Sequence, residues 1–170
     1  MRMRVLLSKN IAETERCARQ LLKTLAPQKG GATVLGLAGN LGAGKTAFAK
    51  CVAKLLGVRE TVTSPTFVIM KTFKISSPDR RLSVARLPAR QVGRWLHLIH
   101  VDAYRIEKPE ELLRLGWREI VSDPRNLILL EWPERVREIL PRGTQIVRFR
   151  FINETSRRIA LPKKPMKLGS

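Results

Sequence analysis

Several residue classes are scarce in this chain of 170 residues, and each scarcity excludes a class of protein. Cysteine occurs only at Cys17 and Cys51, which excludes a disulfide-stabilised scaffold. Both cysteines fall in stretches that read as helical core, so we expect buried free thiols and a reducing compartment. No uncharged apolar run reaches the roughly 18 residues of a membrane span, and the N-terminal apolar stretch is too short for a signal peptide. The sequence therefore predicts a cytoplasmic protein with no membrane partner.

Acidic residues are also scarce, and this scarcity gives the chain a large positive charge. The chain has 33 Lys and Arg against 14 Asp and Glu, a formal net charge of +19. Residues 71–96 hold seven basic residues against one acidic residue, and residues 135–170 hold ten against two. Such a surplus excludes an acidic-tail protein and favours a polyanionic partner or substrate, without deciding which.

The apolar pattern alternates between short strands and helices. A helix is predicted at about 10–25, where Asn10 can cap the first turn and Glu13 follows three residues later. Further strands are predicted at 33–37, 67–70, 96–101 and 126–130, and further helices at 45–56, 109–115 and 133–140. Residues 145–152 alternate in polarity and residues 157–161 return after a turn, which indicates an antiparallel hairpin. The fold class predicted is α/β, with a P-loop NTPase-like central sheet flanked by helices and a C-terminal antiparallel hairpin.

The most specific motif is Gly39-Asn-Leu-Gly-Ala-Gly-Lys-Thr46, a complete GxxxxGK[ST] pattern. Its glycines let the backbone curl so that N–H groups point at phosphate oxygens, while Lys45 reaches the β- and γ-phosphates and the Thr46 hydroxyl can ligate Mg²⁺. The match lies between a predicted strand and a predicted helix, as this mechanism requires. The motif predicts a nucleotide site with Mg²⁺.

Two acidic residues end predicted buried strands and are candidates for the metal site. Asp102 follows the apolar run 98–101, and Glu131 follows the run 127–130. A carboxylate at such a position is costly to bury unless a cation meets it. A phosphate loop needs a carboxylate partner for hydrated Mg²⁺, and the residues leave Asp102 and Glu131 as two candidates for it. The candidate catalytic residues are Lys45, Asp102 and Glu131, and the candidate Mg²⁺ ligands are Thr46, Glu131 and Asp102.

The identity of the base and the domain limits follow from weaker signals. The chain has neither an Asn-Lys-x-Asp box nor an Asp-x-x-Gly switch, so adenine is favoured over guanine and ATP is the expected nucleotide.

Residues 1–161 are predicted to form a single ATPase domain, with a basic insertion or loop at 74–95 and a flexible basic tail at 162–170.

Four blocks in order resemble the bacterial TsaE (YjeE) family over about residues 8–158. They are the phosphate loop, Val62-Thr-Ser-Pro-Thr-Phe67, His100-Val-Asp-Ala-Tyr-Arg105 with Pro109-Glu-Glu-Leu112, and Glu131-Trp-Pro-Glu134. The resemblance implies an ATP-binding protein that acts with TsaB and TsaD in the threonylcarbamoyladenosine modification of tRNA, beside the anticodon. It implies that TsaD carries out the transfer, that tRNA is reached through the complex, and that ATP is hydrolysed on that complex.

The resemblance also implies roles for particular residues. Thr66 would lie in a switch-like loop near the γ-phosphate, Asp102 would orient Mg²⁺ or the attacking water, and Glu131 would be a second acid at the metal. Trp132 would be a neighbouring positioning residue, and Arg157 would approach the nucleotide or remain an ordinary surface arginine. The implied nucleotide-binding set is Asn40, Leu41, Gly42, Ala43, Gly44, Lys45, Thr46, Ala47, Thr66 and Arg157.

Two other functions are compatible with these residues. A small-molecule kinase could use the same phosphate loop with the basic insertion as a lid, and its ATP turnover would require an acceptor. An RNA-binding module with a vestigial loop would explain the charge and would not bind nucleotide. For His97 and His100, which lack further ligands at metal-binding spacing, we expect strand positions, with His100 packing or hydrogen-bonding near the site.

Overall fold

A computed structural model describes residues 3–28, 30–60, 69–75 and 95–162 of the chain. The strands are β1 Met3–Ser8, β2 Thr33–Ala38, β3 Met70–Lys74, β4 His97–Asp102, β5 Asn126–Glu131, β6 Gln145–Phe151 and β7 Arg157–Pro162. The helices are α1 Ile11–Thr24, α2 Lys45–Leu55, α3 Pro109–Arg114 and α4 Trp117–Ser122, followed by a 3-10 helix at Pro133–Ile139.

The strands form one seven-stranded sheet in the order β1-β7-β6-β2-β5-β4-β3. Strands β6, β2, β5 and β4 run parallel, while β3 at one edge and β7 and β1 at the other are antiparallel to their neighbours. The predicted α/β sheet with a C-terminal antiparallel hairpin is confirmed. The carboxyl ends of β2, β5 and β4 therefore meet at one edge, which is where a ligand binds in open α/β sheets.

Helices cover both faces of the central strands. Leu35 and Leu37 of β2 pack in a core cluster with α1 and α2, and Val34, which precedes Leu35, packs in a second cluster with α3, α4 and the 3-10 helix. Strand β5 alternates in the same way, and all six of its residues are buried. Burial on both faces explains why these strands read as continuous apolar runs.

Helix α1 confirms the predicted cap. The Asn10 side chain accepts a hydrogen bond from the Glu13 backbone N–H at 2.9 Å, and the Glu13 carboxylate accepts one from the Lys9 N–H at 2.7 Å. The helix buries Cys17, Leu21 and neighbouring apolar residues against the sheet. The capping residues and the apolar spacing together define this helix in the sequence.

Some elements differ from the sequence prediction. Strand β1 was not predicted because it is an edge strand whose Val5 and Leu7 are exposed, so its sequence carries no alternating pattern. Helix α4 was not predicted, because Gly116 indicates the end of α3 and α4 begins directly after that glycine. The segment predicted as a helix at 133–140 forms a 3-10 helix, in which Val136 has non-helical dihedral angles (φ −128°, ψ 28°).

The segments around the predicted insertion are partly described. The strand predicted at 67–70 instead begins at Met70 and continues to Lys74; Phe67 and Val68 lie outside the described residues. Lys74 therefore belongs to a strand, and Trp95 is buried and donates its indole N–H to the Thr33 hydroxyl at 3.1 Å. Residues 76–94 of the predicted insertion and 163–170 of the predicted tail also lie outside the described residues.

The two cysteines are free and buried, as predicted. Burial raises the pKa of the Cys17 thiol and raises that of Cys51 to about 11. At pH 8 about one Cys51 thiol in a thousand is ionised, and the thiolate is the reactive form of cysteine.

We expect both thiols to react with Ellman's reagent at a negligible rate in the native protein and fully in urea. Rapid labelling without denaturant would contradict the packing of α1 against α2.

Candidate nucleotide-binding site

The phosphate-loop motif forms the turn between β2 and α2. Gly44 has a φ of +97° and precedes the first residue of α2, a conformation that favours glycine. Gly39 has a φ of +151°, and a Cβ at this position would lie 2.5 Å from the Phe149 carbonyl oxygen, so no larger residue fits there. Helix α2 has no side-chain cap at its N-terminus. Its first N–H groups and the positive end of its dipole are suited to bind an anion.

The Lys45 ammonium is folded back onto the same loop. Its Nζ donates to the Gly39 carbonyl at 2.7 Å and the Asn40 carbonyl at 3.0 Å, and it lies 3.9 Å from the centre of the Trp132 ring. The pKa of Lys45 is lowered, mainly because the ammonium is buried. The nearby carboxylates of Glu131 and Asp102 raise this pKa and offset part of the effect of burial. Phosphate oxygens would compete with neutral carbonyls for this ammonium, and charge-assisted hydrogen bonds are the stronger of the two.

Glu131 is the most deeply buried acid of the site, at 2% exposure. The Thr46 hydroxyl donates to its Oε2 at 3.1 Å, and His100 Nε2 lies 2.9 Å from its Oε1. A carboxylate only accepts hydrogen bonds, so we assign the ring hydrogen of His100 to Nε2. His100 is fully buried, and its Nδ1 makes no hydrogen bond with a described residue. The hydrogen-bonding role predicted for His100 is confirmed.

Asp102 lies beside Glu131 because the two residues are register partners at the ends of β4 and β5. Asp102 is half-buried, and its Oδ1 accepts a hydrogen bond from the Tyr104 backbone N–H at 3.0 Å. The structure thus brings together the two acids that the sequence places at strand ends. Both line one cavity together with Lys45 and Thr46 of the first turn of α2.

That cavity has a volume of about 630 Å³. Its walls include predicted site residues, namely Leu41, Gly42, Gly44, Lys45, Thr46, Ala47, Asp102 and Glu131. They also include Ile69, Tyr104, Arg105, Glu111 and Trp132, of which only Trp132 had a predicted role. Tyr104, Arg105 and Glu111 lie inside the quoted family blocks, which is the signal that could have pointed to them. Asn40 and Ala43 belong to the loop without lining the cavity, and Thr66 lies outside the described residues.

Trp132 adopts an unusual backbone conformation next to Glu131. Its φ is +59°, and no other described non-glycine residue has a positive φ. The ring packs on Tyr104, with ring centres 5.0 Å apart, and the Lys45 ammonium lies 3.9 Å from the centre of the same ring. Strained residues of this kind persist where the surroundings fix them, and they are frequent at functional sites.

Arg157 connects the C-terminal hairpin to the phosphate loop. Its Nε donates to the Gly42 carbonyl at 3.2 Å, and its guanidinium also donates to the carbonyls of Asn153 and Ser156 within the hairpin. The guanidinium packs 4.6 Å from the centre of the Phe151 ring. Arg157 therefore supports the loop through the Gly42 carbonyl, and it does not line the cavity that holds the other predicted site residues.

The sheet order, the loop between β2 and α2, and the paired acids define a P-loop NTPase-like protein. The chain resembles the crystal structure of YdiB from Bacillus subtilis, with a TM-score of 0.63 and 26% identity over 95% of this chain and 86% of that one. The family model for the threonylcarbamoyl adenosine biosynthesis protein TsaE matches residues 8–159, and the chain belongs to this family.

Curated relatives carry the same family name. The tRNA threonylcarbamoyladenosine biosynthesis protein TsaE of Rickettsia felis is 30% identical over 154 residues, which cover 90% of this chain and 76% of the relative. The protein of the same name from Treponema pallidum is 33% identical over 129 residues, which cover 76% and 81% respectively. The family functions in tRNA threonylcarbamoyladenosine biosynthesis. Among the described residues, no helix is long and apolar enough to span a membrane.

The hydrogen bond between His100 and Glu131 gives a stability prediction. His100→Leu removes a donor from a buried carboxylate, so we expect the free energy of unfolding to fall by about 1–3 kcal/mol. His97→Leu on the same strand is the matched control, because half-buried His97 pairs with the neutral Asn126 amide, at 3.3 Å, and not with a buried carboxylate. Urea denaturation at pH 7.5 measures both variants. Equal losses in the two would show that the contact with Glu131 does not stabilise the fold.

Proposed function

We propose that this protein binds ATP with Mg²⁺ and hydrolyses it to ADP and phosphate as an accessory protein of tRNA threonylcarbamoyladenosine synthesis. The observation that supports the proposal most strongly is the convergence of Lys45, Thr46, Asp102 and Glu131 on one cavity. The phosphate loop supplies anion-binding N–H groups, and the two acids lie opposite it. These are groups that proteins use for phosphoryl transfer to water, and their convergence supports the proposal.

The donor set of the cavity fits Mg²⁺. Mg²⁺ is usually held by one or two protein carboxylates together with substrate phosphates, rather than by an all-protein cage. The Thr46 hydroxyl and the carboxylates of Glu131 and Asp102 would hold it. No group of three or more His, Cys, Asp or Glu side chains suited to a metal occurs in the ranges that the structure describes. When bound, the ion would neutralise negative charge on the β- and γ-phosphate oxygens.

The residues of the site would then have separate roles in hydrolysis. Lys45 leaves the Gly39 and Asn40 carbonyls and donates to the β- and γ-phosphates. Glu131 keeps the Thr46 hydroxyl oriented, because His100 fixes the position of its carboxylate. Asp102, which is less buried, orients a water for attack on the γ-phosphorus and accepts its proton. The bond from that phosphorus to the bridging oxygen breaks, and ADP leaves with the electron pair.

The partnership is proposed on the family alone. Because the TsaE family functions in tRNA modification, we assign TsaB and TsaD as partners, tRNA as the substrate of the complex, and the cytoplasm as the location. Slow hydrolysis by the isolated protein and faster hydrolysis with TsaB–TsaD would support this assignment. Turnover that instead required a small-molecule acceptor would support a kinase.

The first test of the site is nucleotide binding. Lys45→Ala removes the mobile cation of the loop, so we expect ATP affinity to fall at least about tenfold, or 1.4 kcal/mol. The control is Lys50→Ala, because Lys50 lies exposed on the same helix and makes no contact with the cavity. Titration calorimetry with ATP and Mg²⁺ compares the two. Equal affinity of both variants would refute the nucleotide site.

The second test separates binding from hydrolysis. Asp102→Asn and Glu131→Gln each preserve side-chain volume and remove one charge, so each is expected to lower the hydrolysis rate at least about tenfold. The exposed Glu138→Gln variant controls for the loss of an acid elsewhere. Phosphate release in the presence of TsaB–TsaD is the measurement. Full activity of the Asp102→Asn variant would exclude Asp102 as the residue that orients the water.

A further inference from the structure

The end of the sheet formed by β6, β7 and β1 has one face without a helical layer among the described residues. The core cluster that contains α3, α4 and the 3-10 helix includes residues of β2, β4 and β5, and none of β1, β6 or β7. On the opposite face, Val147, Phe149 and Ile159 pack against α1 and α2. Because strand residues alternate between faces, the residues between these apolar positions point away from the core.

Three arginines occupy that outer face. Arg148 and Arg150 alternate with the buried Val147 and Phe149 along β6, and Arg158 is the register partner of Arg150 on β7. All three are exposed. Directly opposed residues have Cβ atoms about 4.5–5.5 Å apart, and like charges at that separation destabilise the strand pair. We refer to Arg148, Arg150 and Arg158 as the arginine face.

No described residue neutralises this charge. None of the three guanidinium groups forms an ion pair or a hydrogen bond with a described residue. Arg157, which precedes Arg158, lies on the other face of the sheet and donates a hydrogen bond to the phosphate loop. Two of the segments outside the described residues are themselves net basic. Residues 76–94 hold five arginines against one aspartate, and residues 163–170 hold three lysines and no acid.

We propose that the arginine face binds the phosphate backbone of RNA, with tRNA as the ligand. The inference names a direct RNA contact for the function proposed above and rests on the role of the family in tRNA modification. Guanidinium groups bind phosphate oxygens in a bidentate manner, and residues two apart on a strand are separated by about 6.6 Å, so neighbouring arginines can take separate phosphates. Val5 and Leu7 of β1, the register partners of Ala160 and Arg158, extend the face with exposed aliphatic surface.

The chemistry of the face favours contact with the backbone over contact with bases. The aromatic residues of β6 are Phe149, which is buried on the core side, and Phe151, whose ring packs on Arg157. The outer face therefore presents no aromatic side chain from β6 or β7 on which a base could stack. Binding through phosphates is independent of sequence and strongly dependent on salt.

The test compares two triple variants of the full chain. Arg148→Gln/Arg150→Gln/Arg158→Gln removes the arginine face, and Arg16→Gln/Arg114→Gln/Arg118→Gln removes the same charge from exposed positions on α1, α3 and α4. Affinity for an unmodified tRNA transcript is measured by fluorescence anisotropy across a salt series, without nucleotide. We expect the first variant to bind at least about tenfold more weakly at low salt, with a salt slope reduced by about 2, since each phosphate contact contributes roughly 0.7–0.9. The control should change by less than threefold.

Three outcomes would overturn the proposal. The first is that the intact protein shows no measurable binding of tRNA at low salt. The second is that the two triple variants lose the same amount of tRNA affinity. The third is that the first variant keeps its tRNA affinity but binds a polyglutamate probe more weakly. The last result would assign the face to an acidic protein. Circular dichroism and the thermal midpoint confirm folding. ATP affinity should match the intact protein in both variants, so failure of this proposal remains distinct from failure of the nucleotide site, which Lys45→Ala reports.

Discussion

The buried carboxylate of Glu131 is the constraint on which the rest of the site depends. An ionised group that is 2% exposed is costly unless hydrogen bonds and an opposite charge compensate it. Its two oxygens contact His100 on β4 and Thr46 on α2, and Lys45 lies close enough to interact electrostatically. One side chain on β5 thereby fixes the relative positions of two strands and of the helix that follows the phosphate loop.

The loop is restrained from two further directions. Trp132, held at a φ of +59° directly after Glu131, lies against the Lys45 ammonium. Arg157 reaches from the C-terminal hairpin to the Gly42 carbonyl, so the antiparallel end of the sheet is also joined to the loop. The Lys45 ammonium donates hydrogen bonds to two carbonyls of the loop itself. These bonds hold the cation at the site while it remains buried from solvent. A phosphate then needs only to displace two neutral acceptors.

The acidic side chains of the site and the basic side chains of the arginine face lie on different parts of the sheet. The acids Asp102 and Glu131 lie at the carboxyl ends of β4 and β5, inside a chain with a formal net charge of +19. The arginine face lies on β6 and β7, beyond the helical cover of the central strands. The proposed metal–nucleotide complex and the proposed RNA backbone would therefore occupy different surfaces of one small fold. The hairpin that carries Arg157 and Arg158 adjoins both surfaces, since these neighbouring side chains point in opposite directions.

The sequence by itself determined the phosphate loop, the central buried strands, α1 with its Asn10 cap, the hairpin and the two strand-end acids, because each depends on local spacing or on burial of both strand faces. It did not reveal β1, whose stability comes from pairing with β7, or the 3-10 form of Pro133–Ile139. Only the tertiary structure decided that His100 donates to Glu131, that Trp132 lies against Lys45 and that Arg150 opposes Arg158. Those contacts join residues distant in the chain, and strand register, which is set by the packing of the whole sheet, determines which side chains meet.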